Sequence, residues 1–160
     1  MAAESLLASA TVDEAVTQLR NDDIMVTNNE LREAVQPIVD DAANRGVPNF
    51  NVIYLDDNPQ GTDAFSFARQ VVDELGGTTV VRTPDGIGTA STDFSRAAIA
   101  HAERAMMGTS PDDPAGLDYY LNELTGYVVP WTLYSIIVAL IIIAAFAGLI
   151  FYWIRTRPTS

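Results

Sequence analysis

Two adjacent carboxylates, Asp56 and Asp57, follow the most strand-like run of the chain, Phe50 to Leu55, and a third, Asp85, follows the next one, Thr78 to Arg82. In open α/β sheets ligands bind beyond the carboxyl ends of the strands. Clustered carboxylates at such a place, with a carbonyl nearby, form an oxygen-rich site suited to Ca²⁺ or Mg²⁺. An Asp there can also serve phosphoryl transfer. Asp56, Asp57 and Asp85 are therefore the candidate metal ligands, with Thr83 beside the last of them. Turn formation competes with this reading, because Asp, Asn, Pro and Gly all favour turns after strands.

Other chemistry has less support. Gly86-Ile-Gly88 lies shortly before a helix, where backbone amides can meet a phosphate. No Lys follows, and the spacing fits neither a nucleotide-binding loop nor a dinucleotide fingerprint, so no nucleotide is expected. The chain has one His and no Cys, which argues against zinc, thiolate sites and cysteine nucleophiles. Ser91, Ser95 and His101 stand in no nucleophile frame of the Gly-x-Ser-x-Gly kind. His101 reads as a helix-surface residue. No catalytic residue and no cofactor beyond the possible Ca²⁺ or Mg²⁺ is assigned.

Charge narrows the partners. The chain has 21 acidic residues, nine Arg and no Lys. All the acidic residues and seven of the Arg precede a long apolar C-terminal stretch, a balance of −14 for that part. Such a surface disfavours nucleic acid, whose phosphates need Lys and Arg, and disfavours lying flat on anionic lipid. A basic protein partner or a cation is electrostatically easier, although net charge also serves plain solubility.

The elements that must position these residues alternate. Thr11-Val-Asp-Glu14 fits a capping box, and Val12, Ala15, Val16 and Leu19 share one helical face. Ile24 to Val26 is a short strand candidate. Thr27-Asn-Asn-Glu30 repeats the capping signal. Leu31, Val35, Ile38, Val39 and Ala42 form a 3.6-residue stripe that ends near Gly46 and Pro48. Pro37 removes a hydrogen bond inside this stripe, so a kink is expected, or a helix that begins nearer Gln36. Phe50–Leu55 is a strand. Thr62 caps a helix that turns Phe65, Ala68, Val71, Val72 and Leu75 inward and ends at Gly76-Gly77. Thr78–Arg82 is a strand, and Ile87–Ala90 an edge strand. Thr92 or Asp93 caps a last helix to Met107, whose apolar set is Phe94, Ala97, Ala98, Ala102, Ala105 and Met106. Strands alternating with helices of this length imply an α/β fold with a small, mostly parallel sheet flanked by helices, with right-handed crossovers.

Leu133 to Ile154 contains twenty-two residues without a charge. As a helix it spans about 33 Å, the thickness of a bilayer's hydrocarbon core. Trp131 and Tyr134 flank one end, Tyr152 and Trp153 the other, where amphipathic rings favour the headgroup zone. Arg155 and Arg157 follow. These six residues are the expected membrane anchor. The organisation is then an acidic α/β domain over 1–107, a juxtamembrane linker over 108–127 with a helical turn or two, a transmembrane helix over 128–154 and a basic tail over 155–160.

Orientation rests on two opposed arguments. Lys and Arg near the ends of a span favour the cytoplasm, which puts Arg155 and Arg157 inside and the domain outside, in the cell membrane. The opening residues carry Glu4 where a cleavable signal would carry a basic cluster, so no such signal is expected. A tail anchor inserted after synthesis leaves the domain in the cytoplasm instead. The positive-inside orientation is the expectation adopted.

Asn49-Phe-Asn-Val-Ile-Tyr-Leu-Asp56, Phe65-Ser-Phe-Ala-Arg-Gln-Val-Val-Asp-Glu-Leu75 and Thr79-Val-Val-Arg-Thr-Pro-Asp-Gly-Ile-Gly88, in this order of helices and strands, resemble a TPM domain. This is the small α/β module of the thylakoid-phosphatase type, usually tethered by a membrane helix. The match covers roughly 28–107. The whole chain resembles short single-pass membrane proteins of mycobacteria and corynebacteria that carry a degenerate TPM-like domain before one C-terminal helix. The resemblance implies acidic metal-binding residues and phosphatase activity in active members, with Asp56, Asp57 and Asp85 where such residues fall. No complete acidic set aligns. The reading is therefore a non-catalytic, membrane-tethered interaction module with a membrane-protein partner. By size and lineage it is similar to accessory subunits of the actinobacterial respiratory cytochrome bc–aa3 supercomplex. A divalent-cation-dependent phosphatase or hydrolase is the alternative.

Overall fold

A computed structural model describes residues 11–59, 61–127 and 131–156, with the backbone alone for 131–134 and 156. The chain divides into two compact units, 1–127 and 128–160.

In the first unit the elements run α1 (Val12–Leu19), β1 (Ile24–Met25), α2 (Asn29–Ala42), β2 (Phe50–Tyr54), α3 (Ala64–Leu75), β3 (Thr78–Thr83), β4 (Gly86–Ser91), α4 (Arg96–Met107) and α5 (Ala115–Gly126). The sheet order is β1-β2-β3-β4. The first two pairings are parallel and β3–β4 is antiparallel. The antiparallel pair follows from chain length. Pro84 and Asp85 alone join β3 to β4, and a parallel return would need a crossover of a dozen residues or more.

Side chains alternate across the sheet with the strand period of two. Ile24, Phe50, Val52, Tyr54 and Val80 face one apolar cluster, completed by α2, α4 and α5. Met25, Ile53, Leu55 and Val81 face the other, completed by α1 and α3. Both faces of β2 and β3 are thus covered, as the near-continuous apolar runs of a parallel sheet require. Arg82, two residues after Val80, belongs on the α2/α4/α5 face.

Local signals place the helix starts. The Thr11–Glu14 capping box is formed at α1. The caps of α2, α3 and α4 are Asn28, Asp63 and Ser95, each accepting from amides of the first turn. They stand one to three residues beyond the expected Thr27, Thr62 and Thr92 or Asp93. Moving the start of α3 changes its buried face to Phe67, Ala68, Val71 and Val72. Phe65 turns outward, and the Arg96 guanidinium lies 4.5 Å above its ring. Pro37 sits inside α2, which starts well before it at Asn29. The proline and Glu33, whose carbonyl lacks its usual partner, both lie on the exposed side, where water can take that bond.

Gly88 is fixed by packing. A Cβ there would collide with the backbone of Ala64 and Phe65 at the start of α3. The glycines of Gly86-Ile-Gly88 therefore lie within β4, and Gly88 permits close helix–strand approach instead of forming a phosphate loop.

The segment 108–127 is more than a linker. Its helix α5 has twelve residues, and Leu117, Tyr120, Leu121 and Leu124 are almost fully buried in the first cluster. The Tyr120 ring stacks on Phe50 of the central strand, centroids 6.3 Å apart. Arg45, three residues past the end of α2, reaches Asp118 of α5 at 2.6 Å. The spacing 117, 120, 121, 124 is itself a helical stripe; the Asp- and Pro-rich 108–114 before it gave the whole stretch the look of a linker.

The second unit holds α6, Trp131–Thr156. Residues Ser135–Arg155 are long and apolar enough to cross a membrane, and none of that window is buried among the described residues.

A chain cut after Tyr127 should unfold cooperatively, whereas one cut after Met107 should lack a cooperative transition, because it strips α5 from the core. Leu121→Ala in the longer fragment should lose about 2–5 kcal/mol. Urea denaturation followed by circular dichroism checks both, and a cooperative 1–107 fragment would show that α5 is dispensable.

Candidate functional site

The parallel strands end at a cleft of about 380 Å³. Val26 and Thr27 follow β1, Leu55 and Asp56 follow β2, and Thr83 and Pro84 close β3. Asn28 and Leu31 of α2 line it too, with Pro111 and Asp112 from the α4–α5 connection. This is the place where an α/β sheet offers a ligand site.

Tyr54 and Arg82 also line this cleft. They are register partners on β2 and β3, so their side chains leave the same face side by side. Arg82 is 6% exposed and Tyr54 7%. The Arg82 Nη2 donates to the Thr109 carbonyl at 2.9 Å. Its Nε and the Tyr54 hydroxyl have no hydrogen-bond partner among the described residues, and no carboxylate among them forms an ion pair with Arg82. Burial lowers the Arg82 pKa. Burial pushes the Tyr54 phenol up to about 12, against the pull of the Arg82 charge and with a push from Asp113 and Asp112. Buried polar groups are normally paired, so two adjacent unpaired donors are unusual.

The carboxylates expected to bind metal are not gathered in this way. Asp56, Asp57 and Asp85 are all exposed. Asp56 lies on the wall of the cleft, where its Oδ2 accepts from the Thr27 hydroxyl at 2.7 Å. Asp85 lines a different cleft, of about 480 Å³, with Asn58, Thr62 and Asp63, and its Oδ2 accepts from Asn58 Nδ2 at 2.5 Å. Asp57 lines neither. Among the described residues no group of three His, Asp or Glu side chains converges to hold a metal ion. His101 lies on the surface of α4, its Nε2 2.7 Å from Glu123 Oε2 of α5.

Sequence reasoning missed three buried polar residues. Arg82 interrupts the apolar run of β3, and Tyr54 ends that of β2. Glu103 sits in the buried stripe of α4 with Ile99, Ala102 and Met106, and a carboxylate in an apolar stripe is a readable signal. It closes the outer edge of β4: Oε1 accepts from Thr89 N at 3.0 Å, while Arg96 Nη1 donates to Thr89 O at 3.3 Å. Covering an edge strand with charged side chains blocks further strand pairing.

On α6 the large apolar side chains from Ile136 to Ile154 are 45–68% exposed, with no buried face among the described residues. Tyr152, Trp153 and Arg155 stand near its end, Arg155 in the last turn. The side chains of Trp131 and Tyr134, and Arg157 as a whole, lie outside the described residues.

A folded α/β unit and one apolar helix fit to cross a bilayer define a membrane protein with a single candidate span among the described residues. The family described as membrane protein Rv1476 matches residues 8–160, and the chain belongs to that family. No curated protein matches it.

Burial raises the Glu103 pKa, and the Arg96 charge and the Thr89 amide only partly offset it. The folded state therefore holds this proton more tightly than the unfolded chain. Its contribution to stability is greatest below the ordinary glutamate range and is lost as pH rises through the raised value. Glu103→Gln should remove that decline, so that the variant gains on the wild type as pH rises through this window. Urea midpoints across a pH series test it; a constant difference would contradict it.

Proposed function

We propose that the protein is a non-catalytic, membrane-tethered interaction module, an accessory subunit of a larger membrane complex. The observation that carries this reading is the union in one chain of an apolar span and a separately folded, strongly acidic α/β unit, joined through residues 128–130. Such a chain confines its acidic surface to a membrane, where a basic protein surface complements it. Ala139, Ala144, Ala145, Ala147 and Gly148 on α6 allow close approach of a partner helix. The α/β unit is a TPM-like domain in this reading. Its order of helices and strands supports that, and the dispersed Asp56, Asp57 and Asp85 favour binding over hydrolysis. The actinobacterial respiratory bc–aa3 supercomplex is the assembly to which the resemblance in size and lineage points.

Tagged protein purified from native membranes in mild detergent should bring down a defined membrane complex in fixed ratio. A chain cut after Tyr127 should lose it. Migration of the full chain alone would contradict the proposal.

The domain faces outward and the C-terminus faces the cytoplasm in this reading, supported by Arg155 and Arg157 after the span. The chain has no Cys, so single cysteines report orientation cleanly. Asp73→Cys, at an exposed position, should react with an impermeant maleimide on intact cells, and Thr159→Cys only after lysis. The reverse pattern would place the domain inside.

A further inference from the structure

The cleft beyond the parallel strands goes unused by the interaction reading, and its inner wall carries a cation with no counter-ion. Arg82 is buried on β3, has no acidic partner among the described residues, and donates only to a neutral carbonyl, that of Thr109. A buried charge is costly unless paired. Beside it, the Tyr54 hydroxyl is buried and unpartnered among the described residues. Two neighbouring donors, one charged, are complementary to a carboxylate, which guanidinium groups take in two-pronged fashion. The rest of the wall has the opposite sign. Asp56 and Asp112 line the same cleft and are exposed. A multiply charged anion would meet repulsion there, whereas a ligand with a cationic group at its other end would not.

We propose that this cleft binds a small zwitterionic carboxylate, an amino acid or short peptide, with its carboxylate toward Arg82 and Tyr54 and its ammonium toward Asp56 and Asp112. The volume of about 380 Å³ suits a ligand of that size. The Nε of Arg82 and the Tyr54 hydroxyl are sealed from solvent. Entry therefore requires the segment carrying Thr109, Pro111 and Asp112 to shift, and ligand capture would couple to the connection between α4 and α5. This site stands whether or not the membrane partner exists.

The test is a titration of the full ¹⁵N-labelled chain in detergent, reading the Arg82 Nε–H resonance, with L-alanine, L-alanyl-L-alanine, the dipeptide amide and acetate as probes. The proposal expects a saturable shift with alanine or the dipeptide and none with the amide, which lacks the carboxylate. Alanine alone would mark an amino-acid site and the dipeptide alone a peptide site. Acetate should bind at least tenfold more weakly than the better of the two. Tyr54→Phe, which removes only the hydroxyl, should keep the fold and weaken binding about fivefold or more. Asp56→Asn should weaken the zwitterion and should not weaken acetate. No saturable shift with either zwitterion at millimolar concentration would overturn the proposal, as would equal binding of the amide. Acetate binding as tightly as the zwitterions would overturn the assignment of the acidic wall.

Discussion

The apolar circumference of α6 is the constraint on which the rest depends. Among the described residues, the large apolar side chains of α6 from Ile136 to Phe151 are 45–66% exposed. Taking each such side chain out of water is worth about 1.5–3 kcal/mol, so together they represent tens of kcal/mol. That exceeds the ~5–15 kcal/mol that holds a typical domain folded. No rearrangement of the acidic unit can compensate an exposure of that size, and a lipid bilayer removes it. Backbone groups impose the same choice, since a helix satisfies its own hydrogen bonds within the hydrocarbon.

The first unit is stabilised differently. Its core is divided by the sheet, with α1 and α3 on one face and α2, α4 and α5 on the other. The last of these comes from the chain segment nearest the span, and its Leu117, Tyr120, Leu121 and Leu124 complete the first apolar cluster. The ties from α5 back to earlier elements, Arg45 to Asp118 and His101 to Glu123, are partly exposed, and such pairs contribute little. The apolar stripe of α5 carries the attachment.

What could be read from the sequence was mostly local. The span, the capping box at Thr11, the stripe of α2 and the strands of β2 and β3 follow from periodicity and end signals that neighbouring residues supply. Cap positions slipped by one to three residues because hydroxyls and carboxylates cluster before α3 and α4, and several can accept from a first turn. The burial of α5 had a legible spacing, but the Asp- and Pro-rich stretch before it suggested a linker. The pairing of Tyr54 with Arg82 had no local signal. It arises from the register of two strands separated by the whole of α3, and only that register sets side by side a cation and a phenol that are unpaired among the described residues. Asp56, Asp57 and Asp85 show the converse. Their placement after strands was legible, while their separation into different surroundings depended on the turn that makes β4 antiparallel.

The most direct test of the central claim is extraction of isolated membranes with alkaline carbonate. The account predicts that the intact chain stays with the sedimented bilayer and is released only by detergent. Recovery of the intact chain in the carbonate supernatant would contradict it, because α6 would then be covered by something other than lipid.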